Sequence, residues 1–215
     1  MTRVLVEVQQ ALESLYRIEP GSDVRDYIVS AADRGALAPH RAPREQLLLR
    51  EAAGELEVGL YIDPGTLLRL EGGLVEENLA EFLLAIEGVS HFLYVMVRAR
   101  AERPFSALEL ELQAEVDKYL LVLLVALATV RGGTLDGLSS DLRHRLFLRV
   151  SYHSDLSSEE RDRYTTANIA AATYSASLEA RYLRRRAVSE MLSEMRHFYR
   201  LGCAEKLDHI SRRAA

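Results

Sequence analysis

The sequence predicts a mainly α protein: a multi-helix bundle around an antiparallel helical hairpin, with a small β-hairpin in the N-terminal third. Three observations carry this. Apolar residues recur at helical spacing over most of the 215 residues. Only one stretch, Glu45 to Ile62, alternates with the period of a strand. Helix-start signatures stand before several of the periodic runs. A single domain over 1–215 is expected, with N-terminal helices and the β-hairpin in 1–73 and the helical bundle in 74–215.

From Val4 to Ile18, Leu5, Val8, Leu12, Leu15 and Tyr16 repeat at helical spacing, and Glu19-Pro20-Gly21-Ser22 ends the helix. Val4 to Val8 alone would also suit a strand. A short helical piece is expected around Asp23 to Arg34, followed by a loop from Gly35 to Arg44 that contains Pro39 and Pro43. In the hairpin, Leu47-Leu48-Leu49 leads to a turn at Ala52-Ala53-Gly54, after which Leu56, Val58, Leu60 and Ile62 mark one apolar face. A lone two-stranded hairpin is marginal in water. This one must lie on helices, gain a third strand or pair with another chain.

Asp63-Pro64 opens a short helix, with aspartate at the N-cap and proline first inside, and Gly72-Gly73 closes it. Glu77 to Arg131 reads as two long helices joined at Arg103-Pro104-Phe105. Ser106 with Glu109, and Ser157 with Glu160, form capping boxes, the second opening a helix that runs to about Arg186. Gly132-Gly133 and Gly137 to Ser140 mark a loop, and a shorter helix is expected from Asp141 to about Tyr152. The last helix carries Val188, Met191, Leu192, Met195 and Tyr199 on one face and stops at Gly202, leaving a brief terminal turn or helix with Leu207 and Ile210.

Composition is that of an ordinary globular chain, 48% hydrophobic and 27% charged. A net charge of -5 argues against general nucleic-acid binding. Cys203 is the only cysteine, which excludes an intramolecular disulfide and a cysteine zinc site. Lys118 and Lys206 are the only lysines beside many arginines, a pattern expected of a GC-rich bacterial genome. Met1 to Val8 is too short and too soon charged for a signal peptide. Tyr119 to Val130 would span about 18 Å as a helix against a hydrocarbon core of about 30 Å. A cytoplasmic protein without a membrane partner is expected.

The chemistry-bearing residues concentrate on the two long helices. Glu87, His91, Tyr94 and Arg98 share one stripe, opposite Phe82, Ile86, Val89, Leu93 and Met96, and Glu111, Glu115 and Lys118 align on the second helix. Glu111 and Glu115 are expected to point in a more buried direction than Glu109 and Asp117. Folding the pair about Pro104 would set Arg98 near Glu111, Tyr94 near Glu115 and His91 near Lys118 or Asp117. The favoured reading is a salt-bridge network that fixes register. The minor one is a metal or acid/base site, with Glu87, His91 and Glu115 as the metal candidates. Bundles that hold two metal ions use Glu-x-x-His, and Glu87 to His91 is one residue wider. No other cofactor is expected.

Arg143-His144-Arg145, Arg149 and Tyr152-His153 read as a solvated basic face. Arg181, Arg184, Arg185 and Arg186 form the densest basic patch, near a helix C-terminus. Thr165, Ala172 and Ala176 offer a small-residue packing face. The chain has no phosphate loop and no His-Glu-x-x-His. The expectation is a non-enzymatic protein–protein interaction, regulatory or assembly component that binds a protein partner or itself, with the metal-dependent or acid/base enzyme as the alternative.

Overall fold

The computed structural model describes residues 2–37, 43–52, 54–129, 135–150 and 156–214. The fold is mainly α, with one two-stranded antiparallel hairpin among the described residues. Its contacts divide the chain into two compact units, Met1–Pro104 and Phe105–Ala215.

The first unit opens with α1 (Arg3–Tyr16), whose Leu5, Val8, Leu12, Leu15 and Tyr16 are all buried, as the spacing predicts; the strand option for Val4 to Val8 is not taken. Arg17 then turns left-handed at φ 52° and ends the helix. Gln9 sits among the apolar residues because its amide is fully used. It donates to Glu13 and to the Ser22 carbonyl and accepts the Val24 N–H at 2.8 Å.

The expected helix over Asp23 to Arg34 is broken. A 3-10 turn at Val24–Tyr27 is followed by extended backbone at 28–30, and only then by α2 (Ala31–Leu37), which takes in Gly35. The cause is tertiary: Ile28 bridges Leu60 in parallel, and the Val29 N–H donates to the Leu60 carbonyl at 3.0 Å. The hairpin thus gains a fragment of a third strand. Gly59 makes room for it, since a Cβ there would stand 2.9 Å from Val29 Cγ1. Pro39 of the expected loop lies outside the described residues.

Strands β1 (Glu45–Ala52) and β2 (Glu55–Ile62) pair from Glu45 opposite Ile62 to Ala52 opposite Glu55, with Gly54 at φ 81° in the turn. Ala53 of the expected turn is outside the described residues. The single apolar face is corrected. At the base β2 is buried on both faces, Leu60 and Ile62 on one and Gly59 and Tyr61 on the other, while 45–48 of β1 are half-buried and Leu56 near the tip is exposed. Burial follows distance from the helices more than side-chain parity.

Helix α3 (Pro64–Arg69) begins as predicted, with the Asp63 carboxylate accepting the Thr66 N–H at 2.9 Å. Beside it, Arg44 and Arg69 converge on the buried Glu81 carboxylate at 3.0 and 2.8 Å. The Arg44 hydrogen bond outweighs burial and holds that carboxyl below its usual range. After Gly73, at φ 90°, a 3-10 turn leads into α4 (Leu79–Arg100). By length and composition, 76–100 is the one described helix apolar enough to cross a membrane, but 67% of its most apolar window is buried in the protein. Gly88 is where the hairpin meets α4: Glu45 Cγ and Leu60 Cδ1 lie 3.1 Å from where a Cβ would stand.

The second unit begins with α5 (Ala107–Thr129). Ser106 Oγ accepts the Glu109 N–H as a cap, while Glu109 Oε2 accepts the Cys203 N–H at 3.2 Å. Helix α6 (Leu135–Arg143) starts earlier than expected and includes Gly137 to Ser140; a π-helical turn at His144–Leu148 follows it. Gly132-Gly133 and Tyr152-His153 are outside the described residues. Helix α7 (Ser158–Leu178) carries the expected capping box, with Glu160 N–H to Ser157 Oγ at 3.2 Å and Ser157 N–H to Glu160 Oε2 at 2.9 Å.

Helix α7 packs on α5, and its small-residue face is Ala167, Ala170 and Ala171 in place of the half-buried Thr165, Ala172 and Ala176. As a regular α-helix it stops at Leu178, where it widens into a π-helical turn at Glu179–Leu183; the helical stretch then ends near Arg186, left-handed at φ 57°, close to the expected end. Helix α8 (Val188–Arg200) buries Met191, Met195 and Tyr199 as predicted. The brief terminal turn proves to be a full helix, α9 (Cys203–Ala214), which packs against α7.

Candidate functional site

Chemistry gathers where α7, its π-helical turn, α8 and α9 meet. On α8, Glu194 falls three residues after Met191 and four before Phe198, so the apolar stripe carries a carboxylate inward; it is 8% exposed. Its oxygens are taken from three sides. Tyr174 donates to Oε1 at 3.2 Å, His209 Nε2 lies 2.5 Å from Oε1, and Arg213 Nη2 donates to Oε2 at 2.6 Å. Arg213 Nε is also 2.8 Å from His209 Nε2. Tyr174 stacks on Phe198, ring centroids 4.1 Å apart. Burial, with the Glu194 carboxylate adding to it, pushes the Tyr174 phenol well above its ordinary value, so it stays a proton donor.

The outer side of this network opens on a depression of about 480 Å³, lined by His197 and His209, by Arg181, Arg212 and Arg213, and by the carboxylates Glu205 and Asp208. The two imidazoles lie 5.5 Å apart, tilted by 53°. Arg181 reaches this wall from the π-helical turn. That turn is pinned by Glu179, 5% exposed, whose carboxylate accepts Ser139 at 2.8 Å, Arg143 at 3.0 Å and Arg184 at 3.3 Å. Because Ser139 spends its hydroxyl proton on Glu179, Tyr119 is the donor in the 2.8 Å contact with Ser139. Burial pushes the Tyr119 phenol up to about 12. Widened turns of this kind are frequent at functional sites.

A second buried chain of polar groups ties α9 to α5. Lys206, wholly buried, donates to Gln113 Oε1 at 2.7 Å, and Gln113 donates to Asp117 Oδ1 at 2.8 Å.

The residues singled out from the sequence fall in both units. In the first, Glu87 is half-buried, His91, Tyr94 and Arg98 are buried, His91 Nδ1 lies 3.6 Å from Glu45 Oε1, and Arg98 donates to Tyr94. On the opposite arc Phe82, Ile86, Val89 and Leu93 are buried too and Met96 is half-buried, so α4 has no separate packing and chemical faces. In the second, Arg163 stands 3.7 Å from Glu111 and Lys118 donates to Glu115 at 2.7 Å. The expected ranking of carboxylates is reversed: Glu109 and Asp117 are 3% and 1% exposed, against 9% for Glu111 and a half-buried Glu115. The N-terminal end of α9 covers the first through the Cys203 N–H, and the second is tied in by Gln113, which Lys206 holds.

The meeting of Arg98 with Glu111 and of Tyr94 with Glu115 is a relation between the two units and stays an expectation. Among the described residues no group of three or more His, Cys, Asp or Glu is arranged to hold a metal ion. Of the basic patch, Arg181, Arg184, Arg185 and Arg186 are all exposed; Arg184 pairs with Glu179, and Arg185 reaches Glu190 at 4.0 Å.

Glu194, His209, Lys206 and Glu179 were not among the sequence candidates. Glu194 and Lys206 left a trace, a charge on an apolar stripe: Glu194 between Met191 and Phe198, and Lys206 four residues before Ile210. Compared with known proteins, the chain matches no family model, no curated protein and no solved structure.

Proposed function

We propose that the protein is an assembly component that binds a second copy of itself through the outer half of its β-hairpin, in the bacterial cytoplasm to which its composition points. The observation that carries this is the exposure of Leu49 and Leu56, 42% and 40%, on a hairpin whose base is buried. Leu49 faces Val58 and Leu56 faces Glu51, so both leucines lie on the same side of the sheet. Among the described residues β1 pairs with β2 and with no other strand. A strand edge of this kind is a template for a further strand.

The run Leu47-Leu48-Leu49 also suits a two-fold contact. Two copies of β1 paired antiparallel about Leu48 would set Leu47 of each against Leu49 of the other and Gln46 against Arg50. Cross-strand apolar pairs of this sort contribute about 0.2–1 kcal/mol each. The test is sedimentation velocity of the full chain and of Leu49→Lys, since an edge lysine is a common device against strand pairing. A dimer that becomes a folded monomer on substitution supports the reading. A wild-type chain that stays monomeric at high concentration overturns it.

A further inference from the structure

We propose that His197 of α8 and His209 of α9 form a two-imidazole site for a divalent transition-metal ion, open to the depression that both residues line. Direct coordination, and not net charge, holds the ion. The wall is electrically balanced, with Arg181, Arg212 and Arg213 set against Glu205, Asp208 and the buried Glu194 behind them. Such a wall neither gathers ions by its field nor repels them. Imidazole lone pairs suit zinc, copper and nickel.

The surroundings of His209 place its proton. Both Glu194 oxygens act as acceptors, Oε1 from Tyr174 and Oε2 from Arg213, and Oε1 is also 2.5 Å from His209 Nε2. So short a contact with an accepting oxygen puts the imidazole proton on Nε2, and Nδ1 keeps its lone pair. The approach of Arg213 Nε to the same nitrogen is then a close contact and not a second hydrogen bond. A carboxylate on one ring nitrogen, with the other left for a metal, is the usual arrangement around a ligating histidine, because it fixes the ring and raises its basicity. The two nitrogens point to nearly opposite sides of the ring. With Nε2 turned inward on the buried carboxylate, Nδ1 is turned toward the depression, and it makes no hydrogen bond among the described residues.

His197 follows Glu194 by three residues on α8, which brings it to the same wall; it is exposed, and its ring nitrogens make no hydrogen bond among the described residues. Its ring centre is 5.5 Å from that of His209. Two imidazoles that share one zinc at about 2.0–2.1 Å and a tetrahedral angle have ring centres about 5 Å apart. A small rotation of the exposed ring therefore closes the site. No group of three His, Cys, Asp or Glu is in place among the described residues, so water completes the shell and the ion stays exchangeable.

Zinc chloride is the probe, titrated into the full chain isotope-labelled at histidine in a non-chelating buffer, with imidazole nitrogen shifts as the readout. One saturable equivalent per chain is expected, moving His209 Nδ1 and one nitrogen of His197 while His209 Nε2 keeps its proton. His197→Ala should weaken binding about tenfold, equivalent to about 1.4 kcal/mol, with the amide spectrum otherwise unchanged. His144→Ala, another exposed histidine lost from the same unit, should leave the affinity as it is. Calcium chloride supplies a hard cation that prefers oxygen ligands and should move neither ring. Zinc shifts that do not saturate, or wild-type affinity in His197→Ala, overturn the proposal. So does equal binding of calcium, which would mean that Glu205 and Asp208 attract cations without the imidazoles.

Discussion

Lys206 Nζ donates to Gln113 Oε1 at 2.7 Å across 93 residues of chain, and the same ammonium lies 5.2 Å from the centre of the Phe198 ring. A fully buried ammonium is tolerable only when its protons are used and a negative charge is near. Gln113 passes the interaction on to Asp117. One lysine thereby fixes how α9 lies on α5 and, with Phe198, how α8 joins them.

Removing this ammonium should cost stability out of proportion to its size. Lys206→Ala leaves both a cavity and the buried Gln113–Asp117 pair without its donor, and about 3 kcal/mol of destabilisation is expected. Lys206→Met keeps the stem and should cost less. Urea unfolding of the three proteins measures both values. If the two variants lie within about 0.5 kcal/mol of the wild type, the ammonium is not structural.

Tyr119 makes alkaline stability a readout of the α5–α6 contact. Its folded-state phenol is raised to about 12 from an ordinary 10.0, first by burial and then by the Glu179 charge. Below about pH 10 the phenol is protonated in both states and stability is at its full value. Between there and about pH 12 the unfolded chain releases the proton while the folded protein keeps it, so stability falls as pH rises, by about 2–3 kcal/mol. Tyr119→Phe should flatten part of that fall, and not all of it, because Tyr174 is raised in the same direction. Denaturation midpoints of both proteins from pH 8 upward test the sign; parallel curves would contradict the assignment.

Gly88 sets helix propensity against packing. On an open helix surface Gly→Ala gains about 1 kcal/mol. Here the new methyl would stand 3.1 Å from Leu60 Cδ1 and from Glu45 Cγ, and Leu60 is wholly buried. Gly88→Ala is therefore expected to be net destabilising by about 1 kcal/mol, with the hairpin displaced from α4. Thermal melting reads the sign, and a stabilised variant would show that the hairpin yields.

The capping box at Ser157 was legible because both of its partners are within three residues, and both hydrogen bonds form. The hairpin was legible because its signals are local: the Leu47-Leu48-Leu49 run, the turn glycine Gly54 and the alternation from Leu56 to Ile62. The extended backbone at 28–30 was not. Nothing near Ile28 announces that it will bridge Leu60, far along the chain, and that pairing interrupts the helix expected over this stretch.

Residue types alone told where charge concentrates on α4 and α5, but not which charges are buried. Periodicity places residues on a face; it does not say what covers that face. Glu109 and Asp117 are more buried than Glu111: α9 covers the first through the Cys203 N–H, and the second is tied in by Gln113, which Lys206 holds. The Glu194 site was half-legible: a carboxylate on an apolar stripe must find partners, but Tyr174, His209 and Arg213 stand on other helices.

What the sequence determined by itself is what short-range physics decides: a mainly helical chain, one β-hairpin with its boundaries, the caps at Asp63 and Ser157, and the apolar stripes of α1 and α8. What the tertiary structure alone decided is where those stripes meet. It also decided the π-helical turns, the burial of Lys206 and the joining of Glu194 to His209. These depend on contacts between residues far apart in the chain, whose free energy exceeds the local preference that the sequence displays.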